Sequence, residues 1–320
     1  MVSEVLKAYA CYNNDEKIRL KSTSGGIFFL LSSYILEKGG VIARAAFDNM
    51  YNVKHIIADN YEDLEQILGS KYPQSSMGDI YEKIARYLKN DQYVLYCGTP
   101  CQNAGLLSFL GHHPEKLWLV DFVCHGVASP ELWRDYLNYK FPNALPRYIR
   151  FKDKKFGWKN WHVHFRLDDI DLYEKGLDNI FMKSYLDRIN IRPSCFECRF
   201  KGLMRNTDFT IADCWGIGEK NVKLNDDKGL SAVLIHSERG LKVFNELSPK
   251  LIFQEYEPRE LLEENWAAIR STEMNNKRVL FFECYKKRGS ITFDLFWNNK
   301  IIYKIYRKLK GFELWMKKRR

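Results

Sequence analysis

The sequence predicts an α/β fold: a mixed sheet with helices on both faces, followed by a less regular α+β second half. Three observations predict it. Short apolar runs alternate with segments of helical spacing through the first half. Several of those runs end in Gly or Pro turns from which a helix starts. The 320 residues, 46% apolar and 15% aromatic, suffice for a substantial core in one large domain or two ordinary ones.

Taken in order, Val5 to Tyr12 reads as a strand, STSGG as a turn and Ile27 to Lys38 as a helix. Val41 to Phe47 is the next strand. Gly78 to Lys89 carries Ile80, Ile84, Tyr87 and Leu88 on one side, which is helical spacing. Tyr93 to Cys97 and Leu117 to Cys124 are apolar strands. Pro100 to Leu110 and Pro130 to Phe141 are helices that open on proline. In the second half, strands are expected at Arg147 to Phe151, His162 to Leu167, Thr207 to Cys214 and Leu230 to His236. Helices are expected at Leu177 to Asp187, Glu238 to Leu247, Arg259 to Ile269 and Asn275 to Lys287. A basic and aromatic loop, KDKKFGWKNW, joins the first two of these strands. The expected division is an N-terminal α/β part to residue 145, a C-terminal part to 298, and a tail from 299 to 320.

The tail holds most of the charge. Residues 300–320 contain nine of the 50 Lys and Arg but only one of the 40 acids, a net of +8 within the chain's +10. The rest is nearly neutral, so no cationic face for nucleic acid is expected. Ile301, Ile305, Leu309, Phe312 and Met316 recur at spacings of three or four, with cations between. A basic amphipathic helix of this kind lies on anionic membrane surfaces or docks on the body of its own chain. The opening residues lack the apolar core of a secretory signal, and the run from Ile27 to Leu36 is too short to span a bilayer. A cytoplasmic protein is expected, where eight cysteines read as metal ligands or redox groups before disulfides.

In LYCGTPCQNAGLL, an apolar strand runs through Gly98-Thr99-Pro100 into a helix that begins near Cys101. Free N–H groups and the helix dipole favour a thiolate there. Cys97, inside the strand, reads as a buried small residue. LVDFVCHGVASP repeats the arrangement and ends its strand at Cys124. Ligands gather beyond the carboxyl ends of strands in α/β sheets. With Cys195 and Cys198 of the CFEC knuckle, the thiols number four, enough to close an all-thiolate site. Spacing leaves iron–sulfur and zinc both open.

KSTSGGIFFLL leads small residues and two glycines into a helix, the pattern of a phosphate cradle, although it is neither a Walker A nor a GxGxxG motif. GSKYPQSS adds Lys71 and three serines. RNTDFTIADCWGIG places Asp208 and Asp213 along a strand that ends in Trp215-Gly216; a strand-end aspartate there is site-like, but a cap and a core tryptophan are the favoured reading, with Cys214 as packing.

The segments SGGI, GSKY.QS, GTPCQ..GL, VDFVCHG..SP, C..C.FK and R..D.TI.D.WGI occur in one order. Together they make the chain similar, over about residues 5 to 220, to the coenzyme F420 hydrogenase/dehydrogenase beta-subunit family. The resemblance implies FAD, one 4Fe-4S cluster and hydride chemistry at the flavin. It implies that Cys101, Cys124, Cys195 and Cys198 hold the cluster. It places Ser24, Gly25, Gly26, Ser70, Lys71, Gly98 and Thr99 in the flavin site. His125, Lys71 and His162 are candidate proton donors. The ferredoxin-type C-x2-C-x2-C-x3-C-P run of many members is absent and Cys11 stands alone, so a separate electron-transfer protein such as a ferredoxin is expected as partner. The acceptor is then a small molecule, for which coenzyme F420 is one candidate. An alternative is a non-redox protein of bacterial capsule or surface-polysaccharide biosynthesis that keeps the fold, with or without a structural metal. A third is a zinc-stabilised binding module.

Overall fold

The computed structural model describes residues 3–298. The basic tail, with its expected membrane or docking role, lies outside the described residues.

Apolar runs of four to seven residues build the main sheet. In chain order, β1 (Lys7–Asn13) is followed by α1 (Glu16–Lys21) and α2 (Ile27–Glu37). Then come β2 (Val41–Phe47), β3 (Val53–Ala58), α3 (Tyr61–Ile67), α4 (Ile80–Lys89), β4 (Val94–Cys97), α5 (Pro100–Leu110), β5 (Leu117–Phe122) and α6 (Pro130–Lys140). A small sheet follows, β6 (Tyr148–Asp153), β7 (His162–Leu167) and β8 (Ile170–Lys175), then α7 (Ile180–Leu186). The chain returns through β9 (Phe209–Asp213), α8 (Ile217–Lys220), β10 (Ser231–Ile235), α9 (Glu238–Leu247) and β11 (Leu251–Glu255). It ends in α10 (Pro258–Leu261), α11 (Lys277–Arg288) and the short α12 (Ile291–Phe293).

The eight-stranded sheet has the order β11-β1-β10-β9-β5-β4-β2-β3. β2, β4, β5 and β9 run parallel at its centre. Antiparallel β3 covers one side of that block and antiparallel β10, β1 and β11 extend the other. Strands from both sides of residue 145 therefore share one sheet. The parallel strands are mainly apolar; all four residues of β4 are buried, as strands covered on both faces require. α2, α3 and α9 pack on one face through Ile27, Leu31, Ile35, Leu64 and Phe244. α4 and α5 pack on the other through Ile80, Ile84 and Leu106. The α/β sheet with helices on both faces is what the alternation predicts.

The β6-β7-β8 sheet builds a second core with α6, α7 and α11, rich in aromatic rings such as Trp133, Tyr136, Phe151, Phe181 and Phe281. One expected element differs. Instead of a helix over Arg259 to Ile269, α10 stops at Leu261 and a single turn forms at Trp266–Ala268. The side-chain amide of Asn265 donates to the Asp213 carbonyl at 2.8 Å, which draws the chain off the helical path. α1, β3, α3, β8, α8 and β11 were not legible. β8 and β11 are largely exposed and are held by pairing with β7 and β1 instead of burial.

Among the described residues no helix is long and apolar enough to cross a membrane.

Candidate functional site

The carboxyl ends of β2, β4, β5 and β9 open into one cavity of about 520 Å³. Clefts of this position and size are the usual ligand sites of α/β sheets. The wall begins at the glycine turn. Gly26 has φ 87°, a left-handed conformation that glycine adopts without strain, and starts α2 with its first turn facing the cavity. Ser24 and Gly26 line the space; Gly25 does not. Its place is against β1: an added Cβ would lie 2.6 Å from the Cys11 carbonyl and 2.9 Å from Ser231 Oγ. Gly25 thus shapes the turn by close packing and corrects the expectation that it faces a ligand.

Ser70, Lys71, Gly98 and Thr99 line the same cavity. Lys71 points its ammonium at the carbonyl of Leu68, 2.6 Å away. Burial and the neighbouring Arg44 hold its pKa well below the usual lysine range, against a pull upward from Cys97. Thr99 opens α5, with its backbone N–H donating to Gln102 Oε1 at 2.9 Å. Sequence reasoning passed over the cavity's other two cations. Arg44 stands in an otherwise apolar strand, a signal that was present. Its guanidinium donates to the Ile67 carbonyl at 3.0 Å and lies 4.0 Å over the Phe28 ring. Lys152 comes from the basic aromatic loop, paired with Asp213 between the rings of Trp161 and Trp215. A serine and glycine turn with three cations and several aromatic rings suits a polyanionic, partly aromatic ligand.

The turn is braced from behind. Lys154, buried, donates to the carbonyls of Arg19, Ser24 and Lys228 at 2.6, 2.9 and 2.7 Å. Arg19 grips both oxygens of Asp226 at 2.6 Å. Of the strand aspartates, Asp208 is structural: it accepts from the Leu119 N–H, Ser237 and Arg239.

Cys124 and His125 also line the cavity. Burial pushes the Cys124 thiol up to about 12, Lys201 pulls it back, and the thiols of Cys101 and Cys195 add to the rise. Burial raises Cys195 too, with contributions from Cys101 and Cys198. Electrostatic coupling thus links Cys124 to Cys101 and Cys195, and Cys195 to Cys101 and Cys198. Cys101 is exposed at the start of α5, its Sγ 3.1 Å from Thr99 Oγ1. Lys201 sits among them, donating to the carbonyls of Cys124 and Ala267 at 2.5 and 2.7 Å and sensing three of the thiols. Among the described residues, no three His, Cys, Asp or Glu side chains converge as direct ligands of one metal ion. Cys11, Cys97 and Cys214 are buried, in line with a packing role for Cys97 and Cys214.

The two histidine candidates for proton donation lie in different surroundings. His125 is held between the rings of Tyr185 and Trp266, and burial and the charges of Lys201 and Arg188 lower its pKa to about 4. It is neutral near pH 7 and carries no imidazolium proton to give. His162 is not part of the cavity wall; its Nδ1 is 2.7 Å from the Asn160 carbonyl and its ring packs on Phe156.

A family model for the C terminus of the coenzyme F420 hydrogenase/dehydrogenase beta subunit matches residues 91–260. No curated protein matches the chain. Among solved structures, a chain of the F420-reducing NiFe hydrogenase complex from Methanosarcina barkeri, studied as a xenon derivative, superposes with a TM-score of 0.57. That alignment covers 89% of this chain and 94% of the other at 16% identity, a likeness of fold.

Proposed function

Because this chain belongs to the coenzyme F420 hydrogenase/dehydrogenase beta-subunit family, we propose that it is an oxidoreductase passing electrons between a redox protein and a small acceptor. Its cavity would hold FAD, and Cys101, Cys124, Cys195 and Cys198 would hold one 4Fe-4S cluster. The family is one of hydrogenase and dehydrogenase subunits, which supports oxidoreductase chemistry in general.

The observation that carries the finer reading is the shared wall. Cys124 and His125 line the cavity entered by the glycine turn, and Cys124 is also the thiol that senses Cys101 and Cys195. A flavin bound there would stand next to the thiol group, as transfer between a two-electron and a one-electron carrier requires. The residues fit both groups. Thiolate ligands of a polynuclear cluster bind separate irons and so need not meet at one point; Lys201 supplies a positive charge beside them. Arg44, Lys71, Ser24 and Ser70 supply cations and hydroxyls for a pyrophosphate, and Trp161, Trp215 and Trp266 supply flat apolar walls. When bound, the flavin supplies hydride transfer and the cluster single-electron transfer. The protein's own part is to bind, to orient and to exclude water. Lys71 and Lys152 bring N–H donors to the cavity, alongside Arg44.

The test is cofactor content after anaerobic purification: iron, acid-labile sulfide, zinc and released flavin. About four irons and one FAD per chain are expected, followed by reduction of small acceptors, coenzyme F420 among them. Zinc without flavin would overturn the redox reading in favour of a non-redox protein of surface-polysaccharide assembly.

A further inference from the structure

Buried polar groups ordinarily find partners, and His55 departs from that rule. It sits on β3, 8% exposed, and neither ring nitrogen makes a hydrogen bond. The nearby Ser76 carbonyl accepts from the His55 backbone N–H at 3.0 Å and also draws the ring pKa upward, without a hydrogen bond of full geometry to either ring nitrogen. Burial, with Arg44 adding to it, lowers the imidazole pKa to about 4, so the ring is neutral near pH 7. A neutral imidazole offers one N–H and one lone pair. Here both are withdrawn from water and unmet.

His55 lines this cavity in company with Arg44, Lys71, Ser75 and Gln102, and also borders a second hollow beside Ser76 and Met77. Tyr96 packs near it with ring centroids 5.6 Å apart. Its chemistry differs from that of its neighbours. Arg44 and Lys71 are cations suited to phosphate. The two nitrogens point away from each other, so a single uncharged one, donor or acceptor, suits one complementary atom on the edge of a heterocycle.

We propose that His55 hydrogen-bonds an uncharged heterocyclic edge of the dinucleotide held in this cavity and so positions it. The inference rests on the flavin reading above. A ligand atom that meets one of these nitrogens offsets part of the desolvation cost that the free protein bears.

The physics gives opposite signs for the two readouts. Replacing an unpartnered buried imidazole by a hydrocarbon removes a desolvation cost from the free protein. His55→Leu without flavin should therefore melt at or above the wild-type temperature. The same change should weaken FAD binding about tenfold, the loss expected for one hydrogen bond. His55→Gln keeps a donor and an acceptor and should recover most of the affinity. Both quantities are read from apo-protein: thermal melts, and titration with FAD followed by flavin fluorescence. Wild-type FAD affinity in His55→Leu would overturn the inference and leave the flavin reading standing. A lower apo melting temperature, with an affinity loss that Gln does not recover, would also overturn it, in favour of a packing role. No FAD binding by the wild type would remove both.

Discussion

The ammonium of Lys152 is paired with the carboxylate of Asp213, and this contact ties the small sheet to the end of a central strand of the large one. Lys152 lies where the β6–β7 register shifts, with φ 54° in the left-handed region that a lysine rarely adopts. The side chains are 12% and 14% exposed. Burial alone would lower the lysine pKa, but Asp213 and Tyr72 hold it above its usual value. Removing one partner leaves the other charge buried and alone. Asp213→Ala should cost about 3–5 kcal/mol, and the Lys152→Met/Asp213→Leu pair should cost less than Asp213→Ala alone. Urea unfolding of the variants decides it; a neutral Asp213→Ala would mean that the pair contributes no stability.

The thiols separate into two groups by what surrounds them. Serine at Cys101, Cys124, Cys195 or Cys198 should lower iron and sulfide content after anaerobic purification. Alanine at Cys11 or Cys214 should leave the iron content per folded chain unchanged, because these two are packed in cores. Metal analysis of the six proteins is the check. Iron retained in Cys195→Ser would show that the cluster assignment is wrong.

Asp121 is fully buried on β5, accepts from Thr210 Oγ1 at 2.5 Å and lies 3.3 Å from Arg205 Nε. Thr210 has one proton, so its oxygen is left to accept from His236 Nε2, 2.9 Å away. Burial raises the Asp121 pKa to about 7, with Arg205 and Thr210 opposing. Its folded pKa then exceeds the unfolded value near 3.8, and the folded state binds more protons between the two. Stability from this group is fully present below pH 3.8 and is lost as pH rises through about 7. Asp121→Asn should flatten that part of the pH–stability curve. Melting temperatures from about pH 4 to 8 test it, and an unchanged slope would refute the assignment.

Gly25 tolerates no side chain. An alanine Cβ would meet the Cys11 carbonyl and the Ser231 backbone N–H, at 2.6 and 3.0 Å, and backbone yields little. Gly25→Ala should destabilise the fold by about 1–3 kcal/mol. The turn it displaces leads into α2, so FAD affinity should fall as well. Gly39→Ala is the contrast: φ +71° strains it, but nothing lies within 4 Å. It should lose stability without losing affinity, as melts and FAD titrations of both would show.

Local pattern decided much of this protein by itself. Runs such as VLYC and LWLVDF could only be covered strands, and Thr99-Pro100 and Ser129-Pro130 set helix starts that hold to the residue. The small-residue turn, the serine and lysine loop and the ends of two strands were legible as a site because their chemistry is local: free N–H groups, hydroxyls and thiols at known ends of elements. What sequence could not supply was any property created by distant pairing. β8 and β11 carry no burial signal because neighbouring strands hold them. Gly25 and Gly26 look alike in the chain, yet only Gly25 has the Cys11 carbonyl and Ser231 pressed against it. Lys152 and Asp213 are both polar residues near aromatic ones; their pairing exists only because two sheets meet at the cavity. His55 reads as an ordinary histidine in a strand until the fold buries both nitrogens and leaves them unmet. Local propensity comes from neighbours along the chain, whereas desolvation and charge pairing come from neighbours in space, and only the tertiary structure assigns those.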